Sequence, residues 1–236
     1  MGSVGKSKDG DITYQKLDKD SLKELYSWDN AETSWFDDHG NMWEWRDGLT
    51  DDEERVIKDY TGLDYDDINT SQYTKAWEDM SFYEKQSIAN LHNALSKFEL
   101  KDGIIVNRAC DFQIFGAGEH ESMTISDVRN YLKPTDGYLQ NDGFMSFSTK
   151  ANGVPVEGHG LIIQLKIPPT TGAGAYIEPV SYHQQEKEFL LNNNAILKFD
   201  YNSMYQDSKG IHITAEYVGY NDAQTISPTY NGKLKR

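Results

Sequence analysis

Two glutamates one residue apart, Glu186-Lys187-Glu188, lead into the apolar run Phe189, Leu190, Leu191. If Glu188 opens a strand, side chains at i and i+2 point to the same side, so both carboxylates face one site. Carboxylates held together repel, raise one another's pKa and can divide labour between stabilising positive charge and removing a proton. Arg108 ends the apolar run of Ile104, Ile105 and Val106 with a charge. A guanidinium at the end of a buried strand can clamp phosphate oxygens through a forked pair of hydrogen bonds. In the segment from Gly143 to Thr149, alternation sets Ser146 and Ser148 on one face, opposite Met145 and Phe147. A hydroxyl there can donate to a carboxylate on the neighbouring strand and hold its rotamer. Taken singly, each motif has a plainer explanation: a solvated acidic strand, a surface ion pair for Arg108, and polar alternation on a half-exposed strand.

The elements that must carry these residues change character along the chain. Up to about residue 100 the punctuation is helical. Ser21 with Glu24, Thr50 with Glu53, and Ser81 with Glu84 each fit a capping box, which predicts three helix starts. The second helix, through Val56, Ile57 and Tyr60, is expected to stop near Gly62, a residue suited to the left-handed position after a helix end. The third places Ile88, Leu91, Leu95 and Phe98 on one face. From Gly103 onward short β-rich runs take over: Ile104–Val106, Gly143–Ser148, Leu161–Ile167, Ala175–Pro179, Glu186–Leu191, Ala195–Phe199 and Ile211–Val218. Pro168 and Pro169 should end the Leu161 run at Ile167, because proline cannot donate to a ladder. One helix interrupts, starting near Thr124 or Ser126 and carrying Val128, Tyr131 and Leu132. Helices first and strands after predict an α+β domain whose helices flank a largely antiparallel sheet.

The order of the three motifs, an arginine closing the first strand, a Ser-x-Ser strand, then E-x-E after a Gly-rich turn, resembles that of the arginine, serine–x–serine, glutamate class of mono-ADP-ribosyltransferases. Actin-modifying binary toxins and phage-encoded enzymes belong to that class. The resemblance runs from about Leu49 to Phe199. Val106-Asn107-Arg108 followed by Gln113-Ile114-Phe115-Gly116 is similar to the family's aromatic-Arg stretch, and Gly143–Ser148 to its aromatic-x-Ser-Thr-Ser. Ile163 to Phe199 resembles its strand, Pro-turn, Gly-Ala-Tyr-Ile strand and E-x-E strand, and Thr50–Asn69 its opening helix with "Tyr-Thr … Ile-Asn". Asn107 stands where the family usually has an aromatic, and Phe147 replaces the middle threonine. Where many relatives place a second arginine before the Leu161 strand, His159 lies nearest, with Lys150 and Lys166 as other cations.

The resemblance implies an ADP-ribosyltransferase fold: N-terminal helices flanking a mainly antiparallel split β-sandwich with an NAD cleft. It implies a helical extension over residues 1–45 and a catalytic domain over 46–236. NAD is the implied substrate, with Arg108, Gln113, Ser148 and His159 binding it. Glu188 is implied to stabilise an oxocarbenium-like transition state, Ser146 to fix Glu188, and Glu186 to orient the nucleophile and accept its proton. A glutamate at position 186 implies an arginine acceptor, on actin or another host protein, and a separate delivery subunit is compatible with it. The rival readings are an NAD glycohydrolase and an inactive interaction protein of the same fold.

Composition narrows the partners. The 236-residue chain carries a net charge of −15, and residues 1–100 account for −12 of it. No basic stripe is visible, which argues against nucleic-acid binding. No apolar run approaches the roughly 20 residues of a membrane span, and the N-terminus shows no signal peptide, so a soluble protein, secreted or delivered by another route, is expected. The single cysteine, Cys110, excludes an intrachain disulfide framework. The six histidines lack metal-ligand spacing; His120 between Glu119 and Glu121 comes nearest, and no metal is expected. Trp28, Trp35, Trp43 and Trp45 either cap the core or dock a partner.

Overall fold

A computed structural model describes residues 5–6, 12–13, 33–118, 121–150 and 160–221. The strands β1 (Gly5–Lys6) and β2 (Ile12–Thr13) pair with each other. Helices α1 (Thr33–His39), α2 (Met42–Asp47), α3 (Asp51–Asp59), α4 (Tyr65–Thr74) and α5 (Phe82–Ser96) precede the main sheet. The expected start at Ser21 lies outside the described residues. The other two hold: Thr50 caps α3 with Glu53, and Ser81 caps α5 with Glu84, each pair exchanging side-chain and backbone bonds in both directions. Helix α6 (Ile125–Leu132) starts the same way, from Thr124 and Asp127.

One expected boundary is wrong. The chain does not stop at Gly62; a π-helical turn over Tyr60–Asp64 carries α3 straight into α4. Gly62 faces the ring of Tyr182, which a Cβ on it would meet at 3.4 Å, an ordinary contact distance. Phe98 also lies beyond the end of α5, although it is buried with Ile88, Leu91 and Leu95 as the spacing predicts.

The strands are β3 (Glu99–Leu100), β4 (Ile104–Cys110), β5 (Tyr138–Asn141), β6 (Met145–Ser148), β7 (Leu161–Ile167), β8 (Thr170–Thr171), β9 (Gly174–Tyr176), β10 (Glu188–Leu191), β11 (Ala195–Asp207) and β12 (Gly210–Tyr220). Strand β7 ends where Pro168 follows, and its buried residues alternate as a one-sided strand requires. Eight strands form one sheet in the order β5-β11-β12-β7-β4-β6-β10-β9. Only β12 and β7 run parallel in it. The two parts of this sheet, five strands and three, are joined through β4 and β6 at one register pair, Asn107 with Ser148. That narrow junction is the split in the sandwich.

The helices seal the three-strand part. Phe36 of α1 stacks on Tyr176 of β9 at 4.1 Å, Trp45 of α2 meets Phe98 edge-on at 5.5 Å, and Phe98 meets Phe189 of β10 at 6.3 Å. The Trp45 indole also donates to the Ala94 carbonyl at 2.7 Å. Of the expected tryptophan cluster, Trp45 is therefore core, Trp35 is half-buried against it and Trp43 is exposed; Trp28 lies outside the described residues. No helix among the described residues is long and apolar enough to cross a membrane. Trp45→Ala, which leaves a cavity beside Phe98 and removes the indole bond to the Ala94 carbonyl, should lower the unfolding free energy by about 3–5 kcal/mol in urea, whereas Trp43→Ala should change it by under about 1 kcal/mol.

Candidate active site

Strands β6 and β10 pair antiparallel with Glu188 opposite Ser148 and Leu190 opposite Ser146. Both serines therefore share the face on which Glu188 lies. The Ser146 hydroxyl lies near the Glu188 carboxylate and favours its charged form. The carbonyl of the same serine accepts from Arg108 Nη1 at 2.8 Å, so one residue of the narrow three-strand part neighbours the glutamate and holds the arginine from across the junction. Arg108 Nε is buried and has no hydrogen-bond partner among the described residues.

Glu188 is only 6% exposed. Burial pushes its carboxyl up to about 7, and the neighbouring Glu186 carboxylate pushes the same way, while the Ser146 hydroxyl, Arg108 and His183 oppose them. Glu186 is the opposite case, exposed at the surface. The expected geometry, two glutamates on one strand, does not form. Only Glu188 belongs to β10; Glu186 ends a 3₁₀ turn over Gln184–Glu186, and Lys187 between them is left-handed at φ 52°. The pair is thus one buried and one exposed carboxylate across a kink. Ser148 and Thr149 pin that kink: Ser148 Oγ donates to the Glu186 carbonyl at 3.2 Å, and Thr149 donates both its N–H and its hydroxyl to the Lys187 carbonyl.

The helices reach the same site. Asn69 of α4 accepts the Phe144 N–H at 2.9 Å and donates to the Tyr60 hydroxyl at 3.0 Å, and that hydroxyl faces the Phe144 carbonyl at 3.4 Å. Burial pushes the Tyr60 hydroxyl well above its usual range, so it stays a donor. Gly143 admits this clasp, because a Cβ there would lie 2.8 Å from the Asn69 amide oxygen. One residue on from Tyr60, the Thr61 hydroxyl accepts the Tyr182 N–H at 3.2 Å. The π turn therefore grips both the start of β6 and the loop leading to Glu186. Sequence reasoning reaches Tyr60, Thr61 and Asn69 only as parts of a resembling stretch; their polar atoms on a helix face that also buries Ile57 and Ile68 are the available signal.

Of the remaining expected residues, Gln113 sits exposed on a 3₁₀ turn over Phe112–Phe115, and among the described residues no hydrogen bond joins its side chain to Arg108, Ser146 or Glu188. Lys166 of β7 faces Glu216 of β12 at 3.9 Å. The Lys150 N–H bonds Ser148 Oγ. His159, Glu119 and His120 lie outside the described residues.

The family model described as ADP-ribosyltransferase exoenzyme matches residues 33–218, which contain every residue of this cleft. The chain belongs to the ADP-ribosyltransferase exoenzyme family. Among sequences, this exoenzyme domain is 31% identical over 152 residues to the NAD(+)–arginine ADP-ribosyltransferase EFV of Enterococcus faecalis, a match covering 64% of this chain and 29% of that protein. Among solved structures, the fold is similar to Plx2a, an ADP-ribosyltransferase toxin from Paenibacillus larvae (TM-score 0.63, 24% identity, 84% of this chain and 96% of that one). It is also similar to C2-I, the enzymatic component of the C2 toxin from Clostridium botulinum (TM-score 0.63, 19% identity, 94% of this chain and 54% of that one). The C3 exoenzyme of Clostridium limosum gives a TM-score of 0.56 at 16% identity, over 84% of this chain and 94% of that one.

A carboxyl raised to about 7 also makes stability depend on pH. The folded state holds the Glu188 proton more tightly than the unfolded chain, so this group's stabilising contribution is present below pH about 4.5 and lost as pH rises through about 7. Glu188→Gln should therefore be more stable than the wild type at pH 8, by on the order of 1–3 kcal/mol, with the gap closing towards pH 4. Urea titrations at the two pH values check it.

Proposed function

We propose that this chain transfers ADP-ribose from NAD to an arginine side chain of a protein acceptor. The observation that carries the reading is the unlike pair of glutamates: Glu188 buried beside Ser146, Glu186 exposed at the mouth, with Arg108 hung from the same serine. Each position suits one part of the reaction.

Arg108, set beside the strand junction and held there by the Ser146 carbonyl, offers its guanidinium to the NAD diphosphate. Glu188, once ionised, lies where positive charge grows on the nicotinamide ribose as the bond to nicotinamide breaks. The electron pair of that bond leaves with nicotinamide, which departs neutral and needs no acid. Ser146 keeps the Glu188 carboxylate from turning away, and its low-dielectric setting strengthens the charge interaction. Glu186 receives the acceptor guanidinium at the surface, where a carboxylate matches the fork and charge of arginine better than an amide does. It takes the proton as the new bond from guanidine nitrogen to ribose forms, because a group with pKa above about 12 is not deprotonated beforehand.

The arginine acceptor is further supported by the name of the Enterococcus faecalis relative. The acceptor protein is a host protein such as actin, and an acidic chain of net charge −15 favours a basic approach surface on it. His159 supplies a further contact to NAD, and Gln113 one to its ribose or phosphate side.

Purified chain, labelled NAD and agmatine test this. Transfer should fall at least about 100-fold in both Glu186→Ala and Glu188→Ala, while hydrolysis of NAD persists in Glu186→Ala and is lost in Glu188→Ala. Absence of NAD consumption by the wild type at millimolar NAD overturns the reading. In the wild type, kcat/KM for NAD should drop as pH falls below about 7, because Glu188 must shed its proton to act. A profile flat down to about pH 5 removes Glu188 from that role.

A further inference from the structure

The kink that carries the two glutamates is anchored at the residue between them. Lys187 is left-handed, at φ 52° and ψ 49°, a conformation that residues with a long side chain avoid. On the main-chain side its carbonyl takes two bonds from Thr149, at 3.0 Å from the N–H and 3.2 Å from the hydroxyl. On the side-chain side its ammonium is bonded to Glu178 Oε1, and Glu178 is buried. The other carboxylate oxygen of Glu178 accepts the Tyr176 hydroxyl. Tyr176 is itself wholly buried and stacked on Phe36. An unbroken series of contacts thus runs from a core ring of α1, through Tyr176 and Glu178, to the middle of the E-x-E segment.

A buried carboxylate is costly unless paired, and a left-handed lysine is costly unless held. The Lys187–Glu178 pair meets both demands at once, and it does so at the residue that separates the two glutamates. Glu188 has other supports: Ser146 beside its carboxylate, and its carbonyl accepting the Ile177 N–H at 3.0 Å. Glu186 is exposed and held through its own carbonyl by Ser148 and its N–H by the His183 carbonyl, so the direction of its side chain follows the conformation of the kink.

We infer that Lys187 and Glu178 are positioning residues for Glu186, and that their ion pair sets how much of the bound NAD goes to the guanidine acceptor and how much to water. The inference rests on the transferase reading above, in which Glu186 serves the acceptor and Glu188 serves NAD. Releasing the pair lets Lys187 relax, moves Glu186 off the acceptor and leaves Glu188 in place.

The test uses the full chain with Lys187→Met, which keeps most of the stem and removes the charge, Glu178→Gln, and Lys187→Arg, which keeps the charge. Transfer to agmatine should fall about tenfold or more in Lys187→Met and Glu178→Gln, with NAD hydrolysis within about threefold of wild type and Lys187→Arg close to wild type in both. Equal losses of transfer and hydrolysis, or an unchanged ratio, overturn the inference. Hydrogen exchange over residues 178–190, read by mass spectrometry, judges the clamp without turnover: faster exchange in Lys187→Met than in Lys187→Arg is expected, and equal exchange refutes it. A wild type that consumes no NAD refutes the proposed function instead, and the exchange comparison still decides whether the pair holds the kink.

Discussion

Strands β4 and β6 meet at one residue pair, Asn107 with Ser148, and otherwise each ladders with its own part of the sheet, β4 with β7 and β6 with β10. Everything in the cleft depends on that junction. A full ladder there would close the sheet over the site; no pairing would let the two parts drift. With one pair, Arg108 on the wider part sits beside the junction, and Ser146 on the narrower part reaches back to take its N–H. Arg108 keeps a buried N–H unused among the described residues, and Glu188 keeps a proton to an unusually high pH. Such a site works against folding, and its surroundings carry the cost. The helical layer packs aromatic rings onto β9 and β10, and the Tyr60–Asn69 clasp secures the start of β6.

The division of the two carboxylates follows from the same geometry. They are two residues apart in sequence, yet one is enclosed by β6 and β10 and the other stands in water. A regular strand would have set them side by side on one surface and made them equivalent. The kink at Lys187 makes them different. Difference is needed if one partner is to hold charge in a dry place and the other is to meet a large substrate from solution.

Much of this is legible in the sequence wherever the cause is local. Capping boxes at Thr50 and Ser81 are satisfied within four residues, and the alternation of Leu161 to Ile167 is a period-two signal bounded by proline; both form as expected. Features with distant causes are not legible. Gly62 has the signature of a helix stop, but the chain runs on through it as a π turn whose Thr61 hydroxyl takes the Tyr182 N–H, about 120 residues away in the chain. Strand β5, Tyr-Leu-Gln-Asn, has no apolar alternation and exists because β11 offers it a ladder. Asn192, Asn193 and Asn194 have the composition of an exposed turn, yet all three are buried, with Asn193 bonded to His92 and Gln72 and Asn192 to Ser96. Those partners lie on α4 and α5, out of reach of any local pattern. The E-x-E segment shows both sides: its residue types point to the chemistry, and the left-handed lysine that arranges them has no sequence signal.

The π turn between α3 and α4 is a stretch of helix carrying surplus chain, and each added residue rotates the remainder of the helix by about 100°. Before it, Val56 and Ile57 point into the core; after it, Asn69 and Tyr73 point at Gly143 and Asn141. The turn thus acts as a phase shifter, letting one helical run serve the hydrophobic interior with its first half and, while still burying Ile68, the polar end of β6 with its second. In a chain shortened by one residue here, every amino acid that touches the cleft would still be present, and the helix would simply face the wrong way.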